Sequence, residues 1–526
     1  MNFAQVARLL AGFALFFSVV QCCMIGIAWF EVVENPEFRP VHGFVWGAGV
    51  GLAIALGLGL WGRGASHEFF RRESLLVVGL AWFVAGALGG IPFWASGTYG
   101  TYADGIFECI SGLTTTGASV CGSGDNHAIE DLPRSILLWR SLVQWIGGIG
   151  IILVFIVLLP AMGVTGKNLL ASEQVGVSND DIRPSMRLQA RSLFRLYVGL
   201  TACLALILWI HGHFTGTQTG FDSICHAFTT MATGGFSTNN LSIGGLDSVF
   251  VECVLIVFMF LAGSNFVLLS HAIRGRSIGR LFQSAEFKLY LKLVIGLILA
   301  VTLILWIEGG TMIDHATTDR DYDDPLRCLR DAAFQVVSII TTTGYGTADF
   351  QNWPHAAVML IFLTMFFGGC TGSTAGGYKI LRLFVVGRLL SFTARKFIRP
   401  KSVEKLKLDD DVVPNSVVSS ILALFVMWVS LTFFGGVALS FVDGLSFSSA
   451  LSTSLSMMSC VGPAISEVVP TGPGTFETVW PINVGPYGGF GDLPSWAKLV
   501  AAFEMVLGRL EILAPIVLFA PGTWRR

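Results

Sequence analysis

The chain has 526 residues, of which 53% are hydrophobic and 13% charged, and its formal net charge is −2. A charged share about half that of a soluble protein, together with 41 Phe and 14 Trp, excludes a string of water-soluble domains and specifies a polytopic membrane protein. The near-neutral charge excludes bulk attraction to nucleic acid, and ten Cys without a CxxC pair indicate neither a zinc site nor a disulfide framework.

Apolar runs recur at 9–30, 43–62, 74–96, 135–160, 196–212, 248–272, 289–307, 354–368, 416–441 and 498–520. The first has a single basic residue before it, Arg8, and no small-x-small cleavage site, so it reads as a retained helix. Trp29, Trp46, Trp94, Trp139, Trp209, Trp306, Trp353 and Trp496 fall near span ends, where interfacial anchors belong. Of the 33 Lys and Arg, 25 fall in one alternating set of segments, whereas loops 213–247 and 442–497 have none. The positive-inside rule therefore puts both termini in the cytoplasm. The acidic outer loops either enrich cations locally or simply obey the topology rule.

A repeat runs through the outer loops. Each contains an apolar stretch too short to span, followed by a polar turn around a glycine: Ser111-Gly-Leu-Thr-Thr-Thr-Gly117, Thr229-Thr-Met-Ala-Thr-Gly234, Ser338-Ile-Ile-Thr-Thr-Thr-Gly344-Tyr-Gly-Thr and Ser456-Met-Met-Ser-Cys-Val-Gly462. Serine lies six residues before the glycine in three of them, and Asp104, Asp222 and Asp331 lie twelve or thirteen before. The expected unit is helix, short re-entrant helix with Asp near its N-terminus, polar loop, helix. Irregular backbone at membrane depth must be buried in protein or line a watery cavity. Four such loops on one axis form a ring of carbonyls able to replace the hydration shell of a monovalent cation.

Thr341-Thr-Thr-Gly-Tyr-Gly-Thr347 is similar to a potassium-channel selectivity filter. With four unequal repeats on one chain, the sequence resembles the Trk/Ktr/HKT superfamily of potassium transporters, and within it the bacterial TrkH/TrkG subunits, which carry two extra helices before the first repeat. Phe367-Gly-Gly-Cys-Thr-Gly-Ser-Thr-Ala-Gly-Gly-Tyr-Lys379 is similar to that family's intramembrane gating loop. The resemblance implies an all-α membrane fold: two front helices (1–66), then repeats at 67–165, 166–280, 281–400 (gate loop 367–378) and 401–526, with pseudo-fourfold symmetry around one pore. It implies potassium as the only bound metal and cargo, a bacterial inner-membrane homodimer, and a cytoplasmic TrkA-type ring that binds nucleotides and controls opening. The carbonyls expected to bind potassium are those of Thr115, Thr116, Ala232, Thr233, Thr342, Thr343, Cys460 and Val461, beside filter glycines Gly117, Gly234, Gly344 and Gly462. Cys460 replaces the Asn common at that place, and Met231 and Ala232 replace Thr-Thr in the second loop. A less symmetric ring should hold fewer ions in line and select more loosely.

Gly368, Gly369, Gly372, Ser373, Thr374, Gly376 and Gly377 crowd into ten residues. Each glycine costs a helix about 1 kcal/mol against alanine, so the helix should break into a loop that plugs the pore; close helix packing is the competing use of small residues. Arg509 and Glu511 are intramembrane charges. Arg509 either lies at the pore, tuning occupancy or contacting the gate, or is salt-bridged to Glu511 or another acid. The basic inner segments 163–195 and 379–414 either dock a regulator or anchor helix ends on anionic lipid. The chain has no HExxH and no paired intramembrane Asp, so an enzyme is not expected. Within the same superfamily, a sodium-permeable transporter or an H+- or Na+-coupled symporter is the alternative to simple potassium uptake.

Overall fold

The computed structural model describes residues 2–33, 35–64, 71–161, 186–275, 277–308, 322–399, 407–408, 411–472 and 475–512. It is helical, with pore-loop repeats. Two front helices, α1 (Phe3–Trp29) and α2 (Pro40–Trp61), precede the first repeat: α3 (Arg71–Ala95), short α4 (Tyr102–Leu113) and α5 (Arg134–Ala161). The second repeat is α6 (Met186–Thr215), short α7 (Gly220–Met231), α8 (Val249–Ala262) and α9 (Phe266–Arg274). The third is α10 (Ala285–Glu308), short α11 (Pro325–Ile340), α12 (His355–Phe366) and α13 (Ile380–Ile398). The fourth is α14 (Asn415–Leu439), short α15 (Phe447–Ser459) and α16 (Ser495–Arg509).

Among the described residues, six helices (α1, α2, α3, α6, α10 and α14) are long and apolar enough to cross a membrane, which makes this a multi-pass membrane protein. The front pair packs on the first repeat through aromatic edges, the Phe17 and Phe44 rings meeting Trp139 at 6.4 and 5.9 Å between centroids. Gly43, Gly47 and Gly51 form a stripe on α2 that lets it approach Pro92, Gln21 and Ser18 closely, the small-residue contact of membrane helices.

Four features differ from the sequence expectations. The run at 248–272 is not one span, because α8 and α9 meet at 103° across Gly263-Ser264-Asn265. Asn265 starts the new helix by accepting from the amides of Val267 and Leu268, so a strong N-cap forces the break. Trp139 and Trp353 are core residues, not interfacial anchors; their indoles donate to the Gly89 carbonyl and the Tyr322 hydroxyl. Two short hairpins join the helices, β1 (Lys407–Leu408) with β2 (Asp411–Val412) and β3 (Val468–Gly472) with β4 (Thr475–Thr478). Finally, α16 stops at Arg509, and the part of the expected span beyond 512 lies outside the described residues, as do most of segment 163–195 and residues 400–406.

Candidate ion pathway

The four short helices are aimed by their caps. Thr101 with Asp104 and Thr219 with Asp222 form capping boxes on α4 and α7. Asp324 before Pro325 starts α11, and Ser446 starts α15. Asp104 and Asp222 thus lie in first turns, where the helix dipole favours a carboxylate. Asp331 does not. Helix α11 starts earlier than its counterparts, so Asp331 is buried in its second turn and Asp324 takes the cap.

All four helices end in one way. The amides of Thr116, Gly234, Thr343 and Val461 donate to the carbonyls five residues back, Ser111, Thr229, Ser338 and Ser456, at 2.8, 2.8, 2.8 and 3.0 Å. The preceding residues, Thr115, Thr233, Thr342 and Cys460, are left-handed, with φ of 54, 54, 56 and 55°. Three of these are β-branched, for which positive φ is a genuine outlier, and such strain collects at functional sites.

The residues after the bonded amides are Gly117, Gly235, Gly344 and Gly462, with φ of 81, 79, 81 and 106°. The second loop therefore sits one residue later than the sequence alignment had it. Gly235, not Gly234, is the counterpart of the other three glycines, and Thr233 and Gly234 are the pair before it. Ala232 is the C-cap of α7, matching Thr114 and Thr341. The shifted register also repairs the pattern: Thr229 becomes the hydroxyl six residues before the glycine, and Asp222 lies thirteen before, as Asp104 and Asp331 do.

These turns close on one another. A Cβ on Gly117 would fall inside 3.0 Å of the Gly234 carbonyl oxygen; one on Gly235 would meet that of Thr343, one on Gly344 that of Val461, and one on Gly462 that of Thr116. Loop 1 thus touches loop 2, loop 2 loop 3, loop 3 loop 4, and loop 4 loop 1. Positive φ and this close approach both demand glycine. Tyr345 braces the ring, its hydroxyl reaching Thr229 and Thr230 on α7. Outside the ring lies a cavity of about 630 Å³ lined by all four glycines, Arg140, Tyr487 and Asp492 among others.

On the other side of the ring lies the loop after α12, which contains Gly368, Gly369, Gly372, Ser373, Thr374, Gly376 and Gly377. It is threaded into the break between α8 and α9. The amides of Cys370 and Thr374 donate to the Gly263 and Ala262 carbonyls at 2.8 and 3.4 Å, and the Phe266 amide donates back to Gly372 at 3.2 Å. Each break supplies the partners the other lacks. The loop also reaches the pore-helix turns: the Gly376 amide donates to the Thr342 hydroxyl at 2.7 Å, and the Thr374 hydroxyl to the Met231 carbonyl at 3.2 Å. Arg509 is 2% exposed and donates to the Thr374 carbonyl at 2.6 Å and to Gly147 at 3.4 Å. Glu511 pairs with Arg382 instead.

A family model described as "TrkH: Cation transport protein" matches residues 42–525. The chain belongs to the TrkH cation transport family. The Trk system potassium uptake protein TrkH of Halomonas elongata is 34% identical over 485 residues, 91% of this chain and 92% of that one. TrkH of Escherichia coli K12 is 32% identical over 478 residues, 90% of this chain and 91% of that one. The crystal structure of the potassium transporter TrkH from Vibrio parahaemolyticus superposes with a TM-score of 0.82 at 28% identity, covering 100% of both chains.

Several charged residues of this TrkH-family chain lie outside any recognisable motif. Arg140 is buried against Glu108 at 2.8 Å, and also donates to the Ser237 carbonyl and the Ser119 hydroxyl. Lys498 on α16 pairs with Asp104 on α4 and donates to the Gly491 carbonyl at 2.7 Å, tying the fourth repeat to the first. Glu286 accepts from the Thr371 amide at 2.6 Å, and Lys379 donates to the Ala375 carbonyl at 2.5 Å, so both hold the loop after α12. Arg140, Glu286 and Lys498 are ionisable residues in or beside apolar runs, which was the available signal.

Proposed function

We propose that the protein carries potassium inward through the ring formed by the four pore-helix turns. The observation that carries this reading is the cyclic approach of Gly117, Gly235, Gly344 and Gly462 to the carbonyls of Gly234, Thr343, Val461 and Thr116. Carbonyls brought together at helix C-termini present partial negative charge without a fixed anion, which suits transient cation binding. The membrane potential supplies about 2.3 kcal/mol per charge per 100 mV, so inward flux needs no chemical step.

The loop at 367–379 is the gate and Arg509 its latch. The latch reading rests on the Arg509 hydrogen bond to Thr374, on the loop that reaches both Thr342 and Met231. A buried guanidinium at this depth also opposes a cation electrostatically. Helix α13 follows the gate directly and carries Arg382, Arg388, Arg395 and Lys396, so a cytoplasmic partner that moves α13 moves the gate. That partner is a TrkA-type nucleotide-binding ring, as befits a membrane subunit of a multi-component Trk system. The protein works as a homodimer in the bacterial inner membrane with both termini inside.

Rubidium-tracer uptake into proteoliposomes tests this, with potassium and sodium as competitors and Gly344→Asp as control. Uptake displaced by potassium rather than sodium, and lost in the control, is the expected result. Uptake that survives Gly344→Asp overturns the filter assignment, and equal displacement by sodium replaces potassium uptake with a sodium-permeable pathway.

A further inference from the structure

The second loop departs from the other three at one filter position. Gly234 stands where the others have Thr116, Thr343 and Val461. The missing side chain is replaced from outside the loop. A Cβ on Gly234 would fall within 3.0 Å of three atoms of the Gln144 amide, which comes from α5 of the first repeat. Gln144 is fully buried. Its Nε2 donates to the Gly234 carbonyl at 2.7 Å, and its Oε1 accepts from the Phe236 amide at 3.2 Å. Both bonds span Gly235, the glycine of positive φ. Among the described residues, the carbonyls of Thr116, Thr343 and Val461 accept no protein donor.

We propose that Gln144 is a specificity-determining residue, which pins the Gly234 carbonyl at the spacing of the larger cation and so sets potassium over sodium discrimination. This rests on the filter reading above. Gly234 and Gly235 form the most pliable pair in the ring, because glycine has the widest backbone freedom. Sodium, being smaller, is coordinated only if carbonyls move inward, and selectivity in a flexible filter depends on how freely they follow. The Gln144 amide is a fixed tether against that movement. It also polarises one carbonyl of four, so the ring is chemically asymmetric at this level.

The test is the ratio of sodium to potassium concentrations that half-inhibit rubidium uptake, measured on wild-type proteoliposomes and on Gln144→Met. Methionine keeps length and volume but makes neither hydrogen bond. The ratio should fall about fivefold, equivalent to ~1 kcal/mol, the net worth of one hydrogen bond. If Gln144→Met transports too slowly to measure, thermal stabilisation of the purified protein by KCl against NaCl gives the same ratio. A second variant, Gln144→Ala with Gly234→Val, restores the volume within the loop, as Val461 does in the fourth, but not the tether; discrimination should stay low. An unchanged ratio in Gln144→Met, or full recovery in the double variant, overturns the proposal. Absence of any potassium preference in the wild type instead overturns the potassium reading itself.

Discussion

At the pore-helix ends, the four repeats carry the same hydrogen bonds at the same relative positions; on the side of the loop after α12, the second helices diverge. Helix α5 passes Gly147 and Gly148 unbroken, α8 turns through 103° into α9, α12 gives way to a thirteen-residue loop before α13, and α16 ends at Arg509. The two regions obey different demands. A ring closes only if each turn offers its neighbour the same glycine and carbonyl, so the four are held alike. The proposed gate requires one element to block and another to hold it. Repeats 2 and 3 provide the break and the loop, while repeat 4 provides the arginine.

The sharpest way to break the comparison is at the glycines. Gly235→Ala should abolish rubidium uptake, as Gly117→Ala and Gly344→Ala should, because each added Cβ meets a neighbouring carbonyl at positive φ. Gly234→Ala meets a side chain, the Gln144 amide, rather than a neighbouring turn's carbonyl, and should retain measurable uptake. The reverse order in tracer flux would restore the register read from the sequence and undo the fourfold correspondence.

Next in size is the seam that closes the ring from the fourth repeat to the first. Breaking a buried ion pair from one side costs about 3–5 kcal/mol, so Lys498→Met should lower the unfolding midpoint in detergent markedly. Lys498→Met with Asp104→Leu should recover much of it. A midpoint unmoved by the single substitution would mean that the seam is not held by this pair.

On the side of the loop after α12, Arg509→Gln should raise flux rather than lower it. A charge-assisted hydrogen bond contributes about 1.5–3 kcal/mol, so if the loop gates as proposed, losing the contact with Thr374 shifts it toward open by roughly tenfold or more. Flux through the purified protein alone is the measurement. A fall in flux, with the protein folded and abundant, would move Arg509 from latch to a conducting role.

What was legible in the sequence follows the same divide. The four Gly-centred turns, the broken third repeat and the two front helices are periodic or compositional signals, and composition and period survive without coordinates. The second register was off by one because Gly234-Gly235 offers two glycines, and only the left-handed Thr233 decides between them. Contacts between distant residues left no local trace: Lys498 with Asp104, Glu286 with Thr371 and Gln144 with Gly234 are paired by tertiary packing alone. The break at 263–265 was passed over inside one apolar run, and both the break and its use, as the dock for the loop after α12, required the fold.

The smallest effect tests whether the outer regularity extends to the helix starts. Thr101 and Thr219 make the same capping box on α4 and α7, so Thr101→Ala and Thr219→Ala should each cost about 1 kcal/mol. Their pH dependence is the finer probe. Burial pushes the Asp222 carboxyl up, but hydrogen bonds from Thr219 and Thr238 outweigh it and leave it below its ordinary value. A depressed carboxyl contributes stability that is present above the unfolded value of about 3.9 and lost as pH falls through the folded one. The destabilisation by Thr219→Ala, read as a shift of unfolding midpoint, should therefore be level from neutral pH down to about 4 and shrink only below it. A difference that already shrinks near pH 6 would place the titrating group elsewhere, with His226, one turn further along α7, the first to examine.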